Sequence, residues 1–103
     1  MKKTDLEKLK LTLREFSDEL LNGLQTEGLT GRTVVLKIKY HDFQQITRSQ
    51  TLGMSVRNPD DLYRAACRLL SERTEAGARP VRLLGLGVSG LQERGNMKED
   101  LFL

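Results

Sequence analysis

The chain has 103 residues, with Leu, Val and Ile as candidate core residues, no Trp and only five Phe and Tyr. This length suits one domain, which can bury a core without disulfides or metals. A single cysteine, Cys67, and a single histidine, His41, exclude an internal disulfide and a structural zinc site of the usual spacing. The single cysteine, the lack of an apolar signal segment and the lack of a membrane-spanning apolar run predict a cytoplasmic protein with no membrane partner.

The positive charge of the chain is concentrated in two segments. The formal net charge is only +3, but residues 29–57 carry five basic residues against one acidic residue, and residues 79–95 carry three against one. Both segments contain predicted strands. A basic sheet beside nearly neutral helices is the arrangement that a phosphate-binding surface requires, although a solvated charged surface would also explain it.

The first half of the chain predicts a helix followed by a hairpin. Apolar residues recur at steps of three and four over residues 4–27, which indicates an amphipathic helix. Residues 32–41 alternate in hydrophobicity, which indicates a strand whose Lys37 and Lys39 point away from the helices. A second strand over residues 46–56 follows a short connection, so the two strands should form an antiparallel hairpin.

The second half predicts one helix and one strand. Asn58 suits an N-cap and Pro59 the first helical position, and Gly77 is expected to end this helix. A third strand runs from Val81 to Ser89. The order α-β-β-α-β predicts an α+β fold, a two-layer sandwich in which two helices pack on one face of a small, mostly antiparallel sheet. The other face would stay open.

A glycine pattern in the third strand resembles a cofactor motif. Residues 85–90 match G-x-G-x-x-G, but too few residues follow for the helix, strand and ribose-binding acid that a dinucleotide site needs. Glycines inside a strand more often mark the close approach of another backbone. Here Gly85 and Gly87 could clear space for DNA phosphates.

A polar run within the second strand comprises Thr47, Arg48, Ser49, Gln50 and Thr51. Hydroxyls, amides and an arginine can hold a phosphate backbone without reading bases. The alternative is an exposed strand face rich in strand-forming residues. Arg48 shares its parity with apolar Ile46 and Leu52, so a β-bulge would be needed for Arg48 to face DNA while both of those pack inward.

No pattern in the chain predicts catalysis. Asp60 and Asp61 stand where acids stabilise the start of a helix. Cys67 is expected to be a small, partly buried helix residue, and His41 a turn residue that could touch phosphate. The sequence has no P-loop, no Ser-His-Asp order and no metal-binding cluster.

Several segments carry a family resemblance: Gly31 to Tyr40, Asp42-Phe43 with Ile46 to Leu52, and Arg79 to Ser89. They occur in the right order and spacing over most of the chain. Together they closely resemble the little-finger domain of Y-family DNA polymerases of the DNA polymerase IV type.

The resemblance implies a DNA-gripping role without chemistry. In this family a polymerase core of palm, fingers and thumb performs nucleotide transfer with metal ions, expected to be Mg²⁺, held by palm carboxylates. The little finger docks beside that core and grips the template-primer duplex during translesion synthesis and DNA repair. This segment is therefore expected to need no cofactor and to have no enzymatic activity, although its parent would be a DNA-directed DNA polymerase.

Alternation and the resemblance together predict a DNA-binding set of Lys37, Lys39, Thr47, Arg48, Ser49, Gln50, Thr51, Arg82, Gly85 and Gly87. Arg82 keeps the family's basic position. Leu83 and Gly87 stand where some relatives carry arginine, so contact there should be weaker or use main-chain amides. Binding should be independent of sequence and sensitive to salt.

The chain departs from the family pattern at both ends. The strand that usually precedes the first helix has no counterpart, so an unpaired sheet edge could favour self-association. Residues 1–95 are predicted to form the little-finger domain and residues 96–103 a tail. The tail resembles the apolar part of a peptide that binds the sliding clamp, with Leu101, Phe102 and Leu103 as its anchors. An ordinary chain terminus is the alternative.

Two other functions remain open at this point. A protein-interaction or assembly module that pairs through a sheet edge would dimerise and ignore DNA. An RNA-recognition fold would stack bases on strand aromatics, but the central strands offer only Tyr40, on the predicted core face.

Overall fold

The computed structural model describes residues 3–93, with side chains from residue 6 to residue 91. Its elements in chain order are α1 (Lys3–Thr26), β1 (Leu29–Thr30), β2 (Thr33–Tyr40), β3 (Gln45–Thr51), α2 (Pro59–Arg73), β4 (Val81–Ser89) and β5 (Gln92–Glu93). The predicted α+β sandwich is confirmed. The predicted tail, with Leu101, Phe102 and Leu103, lies outside the described residues, and the boundary after residue 95 stays a prediction.

The main sheet has three strands in the order β3-β2-β4, and both pairings are antiparallel. The central strand is therefore β2, and within residues 3–93 the outer sides of β3 and β4 are not paired. The short strands β1 and β5 pair with each other separately. This small pair was not predicted, because two-residue strands have no detectable period.

The core lies between the helices and one face of the sheet. Every second residue of β2 is buried, namely Val34, Leu36, Ile38 and Tyr40. The buried residues of the helices and the adjoining loops are Leu13, Ser17, Leu21, Leu24, Val56, Leu62, Ala65, Ala66, Leu69, Leu70 and Ala76. Burying a leucine or isoleucine side chain contributes about 1.5–3 kcal/mol. The helices contribute these apolar side chains to the core. Within the described residues, neither helix is long and apolar enough to cross a membrane.

Helix α2 begins as predicted and ends earlier. The Asn58 side chain accepts a hydrogen bond from the Asp61 amide at 2.9 Å, and Pro59 follows the cap. The predicted end at Gly77 is wrong, because the helix ends at Arg73. The Thr74 hydroxyl donates to the Leu70 carbonyl at 2.6 Å while the Thr74 backbone turns to an extended conformation.

The predicted second strand is also too long. Strand β3 ends at Thr51, and the chain then crosses the end of the sheet, where the Leu52 amide donates to the Arg32 carbonyl. The Val56 amide donates to the Gly31 carbonyl at 2.9 Å, and the Val56 side chain is buried. Val56 thus belongs to a loop that closes one end of the core, which its hydrophobicity alone could not distinguish from a strand.

Candidate nucleic-acid interface

The sheet face opposite the helices gathers small polar and basic side chains. Residues that are paired across antiparallel strands point to the same face, and Lys37 lies between Thr47 on β3 and Gly85 on β4. The register assigns to this open face Thr33, Val35, Lys37, Lys39, Gln45, Thr47, Ser49, Thr51, Leu83, Gly85, Gly87 and Ser89. We call this surface the open face.

The open face is positively charged and its strands have no acidic residue. Strands β2, β3 and β4 contain no Asp or Glu at all. Lys37 is exposed and Lys39 is half-buried. Acidic residues are instead frequent in the two helices. The positive potential of the lysines is therefore not cancelled by carboxylates on the same strands.

Most of the predicted DNA-binding residues lie together on this face. Lys37, Lys39, Thr47, Ser49, Thr51, Gly85 and Gly87 occupy adjacent register positions on the three strands. The hydroxyls of Thr33 and Thr51 are 2.9 Å apart, so one of them donates to the other across the pair. This arrangement brings charge, hydroxyls and bare backbone to one surface.

Arg48 and Gln50 lie on the helix side of the sheet. They pair with Leu36 and Val34, the buried residues of β2, and the β2–β3 register shows no bulge. The Arg48 Nε donates to the Arg73 carbonyl at 3.0 Å, which satisfies a carbonyl at the C-terminus of α2. Arg48 therefore does not join the open face. The sequence left this orientation undecided, because apolar Ile46 and Leu52 alternate in step with Arg48 and should pack inward.

The two strand glycines are not required by packing inside the described chain. A Cβ at Gly87 would meet no atom within 4 Å, and one at Gly85 would meet only the Lys37 Cβ at an ordinary 3.6 Å. Gly31 contrasts with both, because its Cβ would approach the Val88 Cγ1 to 2.7 Å. The bare backbone at Gly85 and Gly87 is open to close approach from outside.

Arg82 lies at a bulge beside the β2–β3 turn. Lys39 pairs with Leu83 and Tyr40 with Val81, so Arg82 is left without a partner in the ladder. Its guanidinium carbon lies 4.6 Å from the centre of the Phe43 ring, and the Lys39 Nζ lies 5.9 Å from the same ring. Arg82 thus extends the positive charge to the turn at one end of the open face.

Phe43 is an exposed aromatic residue in the β2–β3 turn, outside the open face, and sequence reasoning gave it no role. Its side chain is 62% exposed, and its φ of 71° lies in the left-handed region. The available signal was a phenylalanine within a predicted turn whose neighbours are all polar. Its proximity to Arg82 could not be predicted, because that contact joins the turn to β4, a strand distant in the sequence.

The turn that carries Phe43 is stabilised by a hydrogen bond within the turn and by an ion pair with Arg79. The Asp42 carboxylate accepts a hydrogen bond from the Gln44 amide at 3.1 Å and pairs with the Arg79 guanidinium at 2.7 Å. The hydrogen bond, and then the positive charge of Arg79, lower the pKa of Asp42. Arg79 also lies over the buried Tyr40 ring, 3.9 Å from its centre.

Asp60, Asp61 and Cys67, which the sequence also singled out, belong to the helix layer, whereas His41 lies in the β2–β3 turn. Asp60 pairs with Arg14 at 2.6 Å, and Asp61 pairs with Arg64 at 3.2 Å. Cys67 is half-buried in α2, and the neighbouring Cys67 thiol, followed by partial burial, raises the pKa of Tyr63. In the part of the chain that the structure describes, no group of three His, Cys, Asp or Glu could hold a metal ion.

Comparisons with known proteins give one consistent result. The model of the impB/mucB/samB family C-terminal domain matches residues 2–101. The DNA polymerase IV of Alkalilimnicola ehrlichii is 55% identical over 75 residues, which cover 73% of this chain and 21% of that protein. The DNA polymerase IV of Streptomyces coelicolor is 44% identical over 86 residues, covering 84% of this chain and 17% of that protein. The chain thus spans about a fifth of the length of these curated relatives.

The fold is also similar to that of a solved structure. In a complex of the β-clamp processivity factor and the little finger domain of PolIV, the similar chain superposes with a TM-score of 0.64 and 28% identity. The match covers 95% of this chain and 86% of the other.

Proposed function

The chain belongs to the impB/mucB/samB C-terminal domain family and is a little-finger domain of the DNA polymerase IV type, and from this premise we propose that its open face binds the template-primer duplex. The domain grips DNA for a translesion polymerase and does not read its sequence. The nucleotidyl transfer, with its Mg²⁺, belongs to a polymerase core of the parent protein. This segment contributes binding and no catalytic group.

The observation that carries the proposal is the composition of the open face. Lys37, Lys39 and Arg82 supply positive charge on strands that contain no carboxylate. Each lysine that neutralises a phosphate releases a condensed counterion, which makes binding favourable and dependent on salt. Thr47, Ser49 and Thr51 add hydroxyls that can donate to phosphate oxygens without reading bases.

The strand glycines fit the same function. A phosphate can approach a bare strand more closely than one that carries a side chain. Gly85 and Gly87 leave such a gap beside Lys37. Arg48 contributes indirectly, because its hydrogen bond to the Arg73 carbonyl holds β3 against the end of α2.

Titration of labelled duplex DNA with the chain tests this proposal. Fluorescence anisotropy with two duplexes of unrelated sequence should give equal affinities that fall steeply as salt rises. Failure to bind either duplex at low salt would contradict it. Self-association in sedimentation, together with that failure, would favour the alternative of an assembly module that pairs through the edges of β3 and β4 that are free within residues 3–93.

We also propose the sliding clamp as a protein partner. The related structure is a complex with the β-clamp processivity factor, and the tail of this chain ends in Leu101, Phe102 and Leu103. Replacing these three residues by alanine should abolish clamp binding in surface plasmon resonance and leave duplex affinity unchanged. Unchanged clamp affinity would remove the tail from this role.

A further inference from the structure

The β2–β3 turn presents an aromatic ring that the packing of the domain does not require. Phe43 is 62% exposed and has a φ of 71°. A left-handed backbone is unfavourable for a bulky residue such as phenylalanine, and such strain often marks a functional position. Asn or Gly would form the same turn with less strain.

The turn is nevertheless held in one conformation. The Phe43 amide donates to the Tyr40 carbonyl at 2.8 Å, and the Tyr40 amide donates to the Gln44 carbonyl at 2.8 Å. The Asp42 carboxylate is held by the Gln44 amide and Arg79, as described above. The His41 amide also donates to the Pro80 carbonyl, at the start of β4. The ring is therefore preorganised at the surface.

The surroundings of the ring are cationic. Arg82 and Lys39 lie within 4.6 and 5.9 Å of its centre, measured from the guanidinium carbon and the Nζ. The carboxylate of Asp42, the residue before Phe43, is already paired with Arg79 at 2.7 Å. Leu83, which pairs with Lys39 on the open face, adds a second exposed apolar side chain.

We propose that Phe43 is a stacking site for an unpaired DNA base, with Lys39 and Arg82 binding the adjoining phosphates. An exposed aromatic ring beside cations is the combination that binds single-stranded nucleic acid, since bases stack on the ring and phosphates meet the charges. The cluster lies at one end of the open face. A duplex bound on that face would meet the cluster at its margin, and the proposal places the unpaired strand there.

This inference rests on the proposed duplex binding, so the test separates the two. The chain is titrated with a blunt duplex, with the same duplex carrying a template overhang, and with a short thymidine oligonucleotide. The overhang carries 2-aminopurine at its first unpaired position, because the fluorescence of this base changes when it exchanges neighbouring bases for another stacking partner. The wild-type chain should bind the overhang duplex about tenfold more tightly than the blunt one, because stacking of a base on an aromatic ring is worth on the order of a tenfold change in affinity.

Phe43→Gly is the decisive variant and Phe43→Tyr is its control. Phe43→Gly should abolish both the change in 2-aminopurine fluorescence on binding and the advantage of the overhang, and should leave blunt-duplex affinity unchanged. Phe43→Tyr should retain all three properties. The melting temperature of Phe43→Gly should be no lower than that of the wild-type chain, because glycine adopts a positive φ freely; a clear fall would make the ring a structural element and overturn the inference.

Three other outcomes would overturn the inference in distinguishable ways. Equal affinity for blunt and overhang duplexes would reject the stacking site and leave duplex binding intact. No binding of the duplexes or of the oligonucleotide would reject the stacking site and the proposed function together. If Phe43→Gly instead weakened association with the polymerase core and left the DNA titrations unchanged, the ring would belong to a protein contact.

Discussion

Lys37 and Lys39 are separated by one residue on the central strand, so their side chains leave the same face of the sheet. This parity is the strongest part of the site that the sequence could predict, because the four buried residues of β2 determine both faces at once. Arg48 shows the limit of the same reasoning. It shares its face of β3 with apolar Ile46, and the contact with the Arg73 carbonyl shows where its guanidinium lies.

The two lysines should account for a measurable part of the salt dependence of duplex binding. Each substitution, Lys37→Ala or Lys39→Ala, should reduce the slope of log K against log salt by about 0.9 if the lysine neutralises one phosphate. Salt-dependent anisotropy titrations measure this slope. Arg68→Ala removes the same charge from the helix layer, where Arg68 is exposed, and should leave the slope unchanged. An unaltered slope in the Lys37→Ala, Lys39→Ala double variant would remove both lysines from the interface.

The glycines allow folding and binding to be separated. Gly87→Ala should leave thermal stability nearly unchanged, because its new Cβ meets no atom within 4 Å, yet should weaken duplex binding severalfold by holding phosphates away. Gly31→Ala should do the opposite. Its Cβ would lie 2.7 Å from the Val88 Cγ1 and 3.0 Å from the Ser89 carbonyl oxygen, and such overpacking costs about 1–3 kcal/mol of stability. Melting curves and anisotropy on both variants check this contrast, and loss of stability in Gly87→Ala would contradict it.

At the scale of the elements, the sequence predicted which strands and helices form better than where they end. The alternation in β2 and the Asn58 cap are local signals, and both were read correctly. The ends of β3 and α2 depend on contacts distant in sequence. The hydrogen bond from Leu52 to Arg32 draws the chain away from β3, and the Tyr40 hydroxyl accepts a hydrogen bond from the Glu75 amide just beyond α2.

The β2–β3 turn should depend on pH through Asp42. The hydrogen bond from Gln44 and the charge of Arg79 lower the pKa of Asp42 in the folded chain. Its stabilising contribution is therefore fully present above the unfolded pKa, about 3.9, and is lost as the pH falls through the lower folded value. Asp42→Asn should thus be less stable than wild type at neutral pH, and the two should converge in denaturant unfolding below about pH 4. A difference that stays constant with pH would rule out this role for the carboxylate.

At the scale of the whole molecule, folding and the proposed binding depend on different surfaces of the domain. The helices and the inner face of the sheet form the core, whereas the open face carries positive charge and contributes little apolar burial. Composition and periodicity were sufficient to predict which face is buried and which is charged, since both are properties of whole helices and strands. They could not reveal the cluster of Phe43, Arg82 and Lys39, because folding brings these residues together from the β2–β3 turn, β4 and β2.

Core and surface leucines should respond to substitution in keeping with this division. Leu36 is 0% exposed at the centre of β2, and Leu36→Ala should lower the free energy of unfolding by about 2–5 kcal/mol. Leu11 is 67% exposed on α1, and Leu11→Ala should change it by less than about 0.5 kcal/mol. Urea unfolding measures both, and equal effects would contradict the described core.

Mapping bound duplex DNA on the chain by NMR tests the central claim most directly. Amide chemical shifts are followed while a short template-primer duplex is added at low salt. We expect the largest changes at Lys37, Lys39, Thr47, Ser49, Thr51, Gly85 and Gly87, with little change along the exposed side of α1. Changes concentrated on the helices, with the open face unperturbed, would contradict the account.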